Sequence, residues 1–256
     1  MSSEIRYGRL HSLQRIGKTD MNIYYDFHIH TCLSPCGNND MTPNNIVNMS
    51  VLKGLNVIAV TDHNSADNVR ACMDASRGLP ITVIPGIEIE TAENIHMVCL
   101  FPDADSACSV GKIIENNLPP IKNKPAIFGE QIIMDSKDSV VGFKEQFLIT
   151  ACSLDIYDVC NIVKKNGGIA IPAHIDKNSY SILSNLGCIP EDPDFKCVEV
   201  NNLSFLNNNE YIQKKYRVLC DSDAHYLWDI SEKTNYLTVP DGLYILHNPA
   251  SVLLCI

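Results

Sequence analysis

The sequence predicts an α/β protein whose parallel strands bring metal ligands to one end of a barrel. Three observations carry this expectation. Short apolar runs without polar alternation recur along the chain, at Val57-Ile58-Ala59-Val60, Ile81-Thr82-Val83-Ile84, Ile169-Ala170-Ile171 and Val218-Leu219-Cys220. Such runs are the signature of strands buried on both faces. Nearly every run closes on acids and histidines, and helix signals lie between the runs. In barrels of parallel strands the active site forms at the carboxyl ends, where ligands from distant parts of the chain meet.

The elements follow in order. Asp26-Phe27-His28-Ile29-His30 reads as a first strand, and because residues two apart share a face, His-x-His aims both rings at one point. Thr42-Pro43 is a helix cap with its first-turn proline, and Gly54 is the stop before the next strand. The run at 57–60 leads to Asp62 and His63. The run at 81–84 leads to Glu88, with Glu90 and Glu93 close enough that one of the three acids is expected to be solvated, and then to Ile95-His96-Met97. Residues 102–150 are irregular, with Pro119-Pro120, and are expected to form a cap over the site. Phe128, Gln131 and Phe143 are its contact candidates, with ordinary packing the preferred reading of each. Ser153 is the expected cap of a helix with the apolar face Ile156, Val159, Cys160 and Val163, ended by Gly167-Gly168. The run at 169–171 leads to His174, and the last leads to Asp223-x-His225, spaced like the first pair. Residues 1–22 read as a polar tail and 23–256 as a single domain.

Six of the eight histidines fall in these motifs, while His11 and His247 read as packed or surface residues. Imidazole nitrogen with carboxylate oxygen suits zinc, manganese or iron, and a carboxylate can bridge two ions. A multinuclear centre is therefore expected. Asp26 and Asp62, beside the histidines, are expected to orient their rings. Lys177, just past His174, is either a phosphate contact or a solvated lysine.

These motifs resemble, in order and residue type, the PHP domain, named after its polymerase and histidinol phosphatase members. The resemblance runs from about Ile23 to His225. It implies a distorted (β/α)7 barrel, two or three divalent metal ions, and phosphoester hydrolysis. Carried over motif by motif, it implies that His28, His30, Glu88 and Asp223 hold one ion, that Glu88 bridges to a second completed by His96 and His174, and that His63 and His225 serve a third. Many relatives place an aspartate five residues after the second histidine, where this chain has Pro35. Asp40 is the preferred substitute ligand, Cys36 the other candidate, and Cys32 and Cys36 are read first as buried thiols.

The implied chemistry is attack on phosphorus by a hydroxide bridging two ions, with Asp223 and His225 as the catalytic pair and His225 a candidate general acid. Neither a Gly-x-Ser-x-Gly elbow nor a Gly-rich phosphate loop with a following lysine is present. The leading expectation is a phosphoesterase acting on a small phosphomonoester. The alternatives are a phosphodiesterase acting on short oligonucleotides or bisphosphate nucleotides, and a metal-binding module without turnover. A formal charge of −10 over 256 residues argues against a protein that grips long duplex nucleic acid. Eleven cysteines without paired spacing, no membrane-length apolar run and no secretion signal lead to the expectation of a cytoplasmic protein with reduced thiols and no membrane partner. Oligomeric state is not legible.

Overall fold

The computed structural model describes residues 20–240 and 249–256. The rest of the expected tail, with His11, and residues 241–248, with His247, lie outside the described residues. In chain order the elements are β1 (Asp20–Ile29), α1 (Pro43–Leu52), β2 (Val57–Val60), α2 (Val69–Ala75), β3 (Thr82–Glu90), β4 (His96–Leu100), α3 (Ala104–Asn117), α4 (Pro125–Phe128), β5 (Ile132–Met134), β6 (Val140–Phe143), α5 (Ile156–Lys165), β7 (Ile169–Pro172), α6 (Ile182–Leu186), β8 (Cys197–Val200), α7 (Glu210–Lys215), β9 (Arg217–Cys220), β10 (Tyr236–Pro240) and a last helix at Pro249–Leu253. β1 thus starts earlier than the expected Ile23. Asp20, Met21 and Asn22, assigned to the tail, pair antiparallel with β10.

A mixed sheet curls through the molecule in the order β10-β1-β2-β3-β4-β7, and β8 and β9 form a parallel pair beside it. β1, β2 and β3 are parallel, as expected. β4 departs from the expectation of parallel strands, being antiparallel to both β3 and β7. The cause is local. Thr91 to Ile95 form a tight turn in which Thr91 N donates to Ile95 O at 2.9 Å and Asn94 takes φ 56°, and strands joined this closely can only run antiparallel. The reversal sets His96 across from Glu90.

Alternation along β2 explains its unbroken apolar run. Val57 and Ala59 pack inward with Tyr25, Phe27, Ile84, Val98, Leu100 and Leu219. Ile58 and Val60 pack outward against Ile46 and Val47 of α1 and Cys72 of α2. Each buried valine, leucine, isoleucine or phenylalanine among them contributes about 1.5–3 kcal/mol by leaving water. On the other flank, Ala107, Val110 and Ile114 of α3 and Ile156, Val159 and Val163 of α5 cover Ile87, Ile89, Met97 and Cys99.

β1 carries a register irregularity between Asp26 and Ile29 against β2. Tyr25 and Phe27 belong to the inner cluster, whereas Ile29 belongs to the outer one. The alternation therefore changes phase after Phe27, and His28 and His30 continue the inner face. A bulge that re-aims side chains beside a site is a known use of the irregularity.

Thr42 caps α1 by accepting from Asn45 N, with Pro43 in the first turn, and Gly54 takes φ 78° beyond its end. α5 is capped by Asp155, which accepts from Asp158 N, rather than by Ser153. A carboxylate one residue before the helix satisfies a free amide and favours the positive helix end. All eleven cysteines are free thiols. Among the described residues no helix is long and apolar enough to cross a membrane.

Gly86 sits mid-strand in β3. A Cβ there would lie 2.7 Å from Thr61 Cγ2, 3.0 Å from Val60 O and 3.1 Å from Cys99 O. Gly86→Ala is therefore expected to destabilise the fold by about 1–3 kcal/mol, measured by chemical denaturation. A loss within about 0.5 kcal/mol, typical of surface changes, would show that β3 is not pinned from both sides.

Candidate metal centre

The strand ends deliver eight titratable side chains to one place. His28 and His30 close β1, His63 follows β2, Glu88 lies in β3, His96 opens β4, His174 follows β7, and Asp223 and His225 follow β9. Glu88 is the hub and is 1% exposed. Its Oε1 lies 3.2 Å from His28 Nε2, 2.8 Å from His96 Nδ1 and 3.2 Å from His174 Nε2. Its Oε2 lies 2.9 Å from His63 Nδ1 and 3.4 Å from His30 Nε2. Asp223 Oδ1 is 3.3 Å from His28 Nε2 and 3.1 Å from His30 Nε2.

Three groups with ligand atoms within 4.8 Å of one another emerge: His28, His30, Glu88 and Asp223; His63, Glu88 and His96; and His30, His63 and His225. The first is the set the resemblance implies. In the second, His63 occurs where His174 was expected, although His174 also reaches Glu88. The fit to cations rests on donor chemistry and burial. Glu88 Oε2, inside the cluster, is buried without a hydrogen-bond partner, and such a polar atom is costly unless something binds it. Two ring nitrogens, His28 Nε2 and His30 Nε2, face each other at 3.2 Å. His174 and Asp223 hold φ of 30° and 54°, a left-handed backbone that non-glycine residues adopt mainly where surrounding structure imposes it.

The charges are strongly coupled. Burial opposes ionisation of Glu88, yet His96, His28 and His63 hold its carboxyl well below the usual range. Burial likewise opposes charge on Asp223, and His28 and His30 pull it well down. His28 is raised well above an ordinary histidine, against its burial, by Glu199, Asp223 and Glu88. His63 is raised, against its burial, by Glu88 and Cys36. His30 is pushed well down by burial and by the neighbouring His225 and His63.

Ring orientation comes from residues the sequence reading missed. His28 Nδ1 contacts both oxygens of Glu199 at 3.0 Å. Glu199 also accepts from His174 N at 3.2 Å. The available signal was an acid inside the apolar strand Cys197-Val198-Glu199-Val200, 1% exposed, which a strand buried on both faces tolerates only when paired. His30 Nδ1 is held by Ser34 Oγ at 2.9 Å, and Ser34 Oγ in turn donates to Asp62 Oδ1 at 2.7 Å. Asp62 therefore acts on a ring only through Ser34. Asp26 touches no ring. It accepts from Ser222 N, Ser222 Oγ and Ser231 N and so ties down the Asp223 loop.

Two loop expectations need correction. Asp40 is exposed and takes no part in the convergent groups, because residues 38–41 turn away: Asp40 N donates to Asn38 Oδ1, Asp40 O accepts from Asn45, and Met41 N donates to Asn38 O. Cys32 is a buried thiol, but Cys36 is exposed at the cleft. Burial raises its thiol, and His63 and His225 outweigh that and bring it down to about 6. Lys177 Nζ pairs with Asp223 Oδ2. The cleft, of about 280 Å³, is lined by Cys36, His63, Glu88, His96, Ile149, His174, Lys177, Ser179, Tyr180, Asp223 and His225. Of the segment 102–150, only Ile149 lines it. Phe128 packs on Phe147, and Gln131 bridges Lys144 O, Gln146 O and Leu148 N, so packing is the correct reading of both. Phe143 lines a separate surface hollow.

The sequence profile of the PHP domain matches residues 26–179. The chain belongs to the PHP domain family. It is a metal-dependent phosphoester hydrolase by that membership. A curated relative, the 5'-3' exoribonuclease Rnm of Salmonella typhimurium, is 33% identical over 90 residues, 33% of this chain and 30% of that protein. The match thus spans about a third of the relative's length. Among solved structures, a protein from Bifidobacterium adolescentis described as a metal-dependent phosphoesterase superposes with TM-score 0.59 at 18% identity, covering 89% of this chain and 96% of that one. The lesion-specific endonuclease PfuEndoQ of Pyrococcus furiosus gives TM-score 0.56 at 18% identity over 81% of this chain and 49% of its own. An endonuclease Q complexed with a 27-mer duplex gives 0.54 at 16% identity, over 81% and 50%. At these identities the superpositions show a shared fold. The nucleases among these relatives overturn the expectation of a small phosphorylated partner and no long duplex. Net charge is a weak guide here, because it sums the whole surface and says nothing of the field at one cleft.

Two outcomes follow from this geometry. Glu199→Gln is expected to weaken metal affinity about 10- to 100-fold, the usual effect of losing a carboxylate behind a histidine ligand, as read by competition with a chelating dye; unchanged affinity would rule out that role. In chelator-stripped protein, His28 and His63, raised on folding, contribute stability that is complete below about pH 6.5 and is lost as pH rises through their folded values. Glu88 and Asp223, depressed on folding, contribute stability above about pH 4 that is lost as pH falls. Stripped protein should therefore have its highest Tm in the weakly acidic range, and the Tm gain from added metal should widen as pH rises. A gain that narrows with pH would contradict this assignment.

Proposed function

We propose that this protein is a metal-dependent phosphodiester hydrolase acting on nucleic acid. The observation that carries the reading is the exoribonuclease match in a chain whose buried Glu88 hub opens into a cleft with one aromatic wall. Tyr180 provides that wall. Its ring is 44% exposed, stacks on His96 at 4.8 Å and 27°, and is anchored by His96 N donating to Tyr180 O at 2.9 Å. Ile149 adds an apolar surface to the same cleft. An exposed aromatic ring beside a phosphate site suits a nucleobase, because every base has a face to stack.

The proposal assigns His28, His30, Glu88 and Asp223 to one ion, Glu88 with His96, His63 and His174 to a second, and His63 and His225 to a third. When bound, such ions supply Lewis acidity and a hydroxide nucleophile near neutral pH. The chain's own part is to hold and orient. Glu199 and Ser34 fix the rings of His28 and His30. Lys177, an ammonium already in the cleft beside Asp223, meets a phosphate oxygen. His225 is used here as a ligand instead of a general acid, because Nδ1 is held by Asp223 O at 2.8 Å and its ring contacts Cys36. The fold reading belongs to the same proposal. β1, β2, β3, β4, β7, β8 and β9 form a distorted seven-stranded barrel, supported by Ile175 N donating to Glu199 O at 2.8 Å and His30 N to Ala224 O at 2.9 Å. Residues 102–150 flank its open end as a cap.

The test is hydrolysis of end-labelled single-stranded RNA, single-stranded DNA and duplexes by metal-reconstituted protein, with Glu88→Ala as the blank. Shortening of a strand that disappears in the variant is the expected result. Protein carrying its ions that cuts none of these strands would overturn the proposal. Tyr180→Ala is expected to lower kcat/KM on strands by about 5- to 150-fold, the equivalent of about 1–3 kcal/mol for one stacked base, with Tyr180→Phe close to wild type. Equal losses in the two variants would exclude stacking.

A further inference from the structure

His30, His63 and His225 bring imidazole nitrogens within 4.8 Å of one another, and no carboxylate belongs to the group. The rings lie close, with centroid distances of 4.2 Å from His30 to His225 and 4.5 Å from His30 to His63. Glu88 Oε2, 2.9 Å from His63, and Asp223 Oδ1, 3.7 Å from His225, approach these rings, but both carboxylates are assigned above to the other ions. Asp40, the nearest acid along the loop, faces solvent. The anion-forming group left for this position is Cys36, which lines the same cleft as His63 and His225 and whose thiol lies against both rings.

The loop that presents Cys36 is held from several directions. Ser34 N donates to Thr31 O at 3.1 Å, Gly37 N to Ser34 O at 2.8 Å and Asn38 N to His225 O at 2.9 Å. At Gly37 a Cβ would lie 2.6 Å from Thr31 O, and at Gly129, which packs over the loop, a Cβ would lie 2.2 Å from Pro35 O. No other residue fits either close approach without movement of the backbone. Cys36 is thus placed by construction of the turn, and its exposure distinguishes it from Cys32, which is fully buried four residues earlier.

We infer that Cys36 is a thiolate ligand which, with His63 and His225, completes a metal position at the mouth of the cleft. This rests on the metal-centre reading above and adds to it the chemistry of one position. A site of two imidazoles and one thiolate favours zinc, cobalt or iron over manganese or magnesium, because sulfur is a soft donor. The other positions each include Glu88, a hard oxygen donor, and are less selective. The centre is therefore mixed, with one position set apart by its affinity for softer metals.

Cobalt(II) reports the ligand directly, since thiolate ligation adds a sulfur-to-cobalt charge-transfer absorption in the near ultraviolet that nitrogen and oxygen ligands do not give. Stripped full-length protein is titrated with cobalt, bound metal is counted by elemental analysis, and spectra are recorded for wild type, Cys36→Ser, Cys36→Asp, Asp40→Asn and Cys188→Ser. The inference expects the charge-transfer band in wild type, Asp40→Asn and Cys188→Ser, and its loss in both Cys36 variants. Cys36→Asp should keep the wild-type cobalt stoichiometry and gain manganese uptake relative to wild type. Cobalt bound without the band, or a band that survives Cys36→Ser, would overturn the inference while leaving the metal centre intact. A protein that takes up no cobalt, zinc or manganese at all would overturn both.

Discussion

A single buried carboxylate organises this molecule. Glu88 places two oxygens among five imidazoles, from His28, His30, His63, His96 and His174, in a region closed to water on the side of the sheet. An ionised carboxylate in such surroundings carries a large desolvation cost, and only close opposite charge or coordination offsets it. Every strand end that contributes a histidine is therefore constrained to one distance and direction from β3. The backbone records this constraint: His174 and Asp223 take left-handed conformations, β1 shifts register between Asp26 and Ile29, and the turn before β4 reverses the chain so that His96 meets Glu88.

A second layer makes that arrangement rigid. Glu199, Ser34 with Asp62, and Asp26 with Ser222 and Ser231 each fasten a ring or a loop that carries a ligand. Their partners are far apart in sequence, as with His28 and Glu199, so the layer exists only once the strands have assembled. It also separates two kinds of cleft residue. The deep residues are held on all sides, whereas Cys36, Lys177, Tyr180 and His225 stand at the mouth, where the proposed polynucleotide substrate would arrive. The formal charge of −10 is compatible with the proposed substrate, because divalent ions held by these ligands would supply positive charge where a phosphate would bind.

Much of the architecture was legible in the chain. The apolar runs became β2, β3, β7 and β9, the Thr42-Pro43 cap opened α1, and His-x-His delivered two rings to one point because strand geometry leaves no other result. The errors came from features without a short-range signal. β4 was not foreseen as antiparallel because the apolar runs on either side of its turn look alike in either direction. Ser153 lost the capping role to Asp155 because both lie at plausible spacing and the helix start decided between them. The first residues of β1 read as tail because their partner, β10, is more than 200 residues away.

The site divides in the same way. Ligand types and their order along the chain follow from the sequence, since metal chemistry demands particular side chains and strand ends announce where they can go. Membership of the PHP family follows too, because those motifs are themselves a sequence property. Tertiary structure alone decided which carboxylate is central, that Glu199 and not Asp26 orients His28, that Asp40 faces solvent while Cys36 faces His63 and His225, and that Tyr180 offers a ring to the cleft. Each is a matter of direction, and direction depends on bulges, turns and packing between elements distant in the chain, for which no single stretch of sequence carries the information.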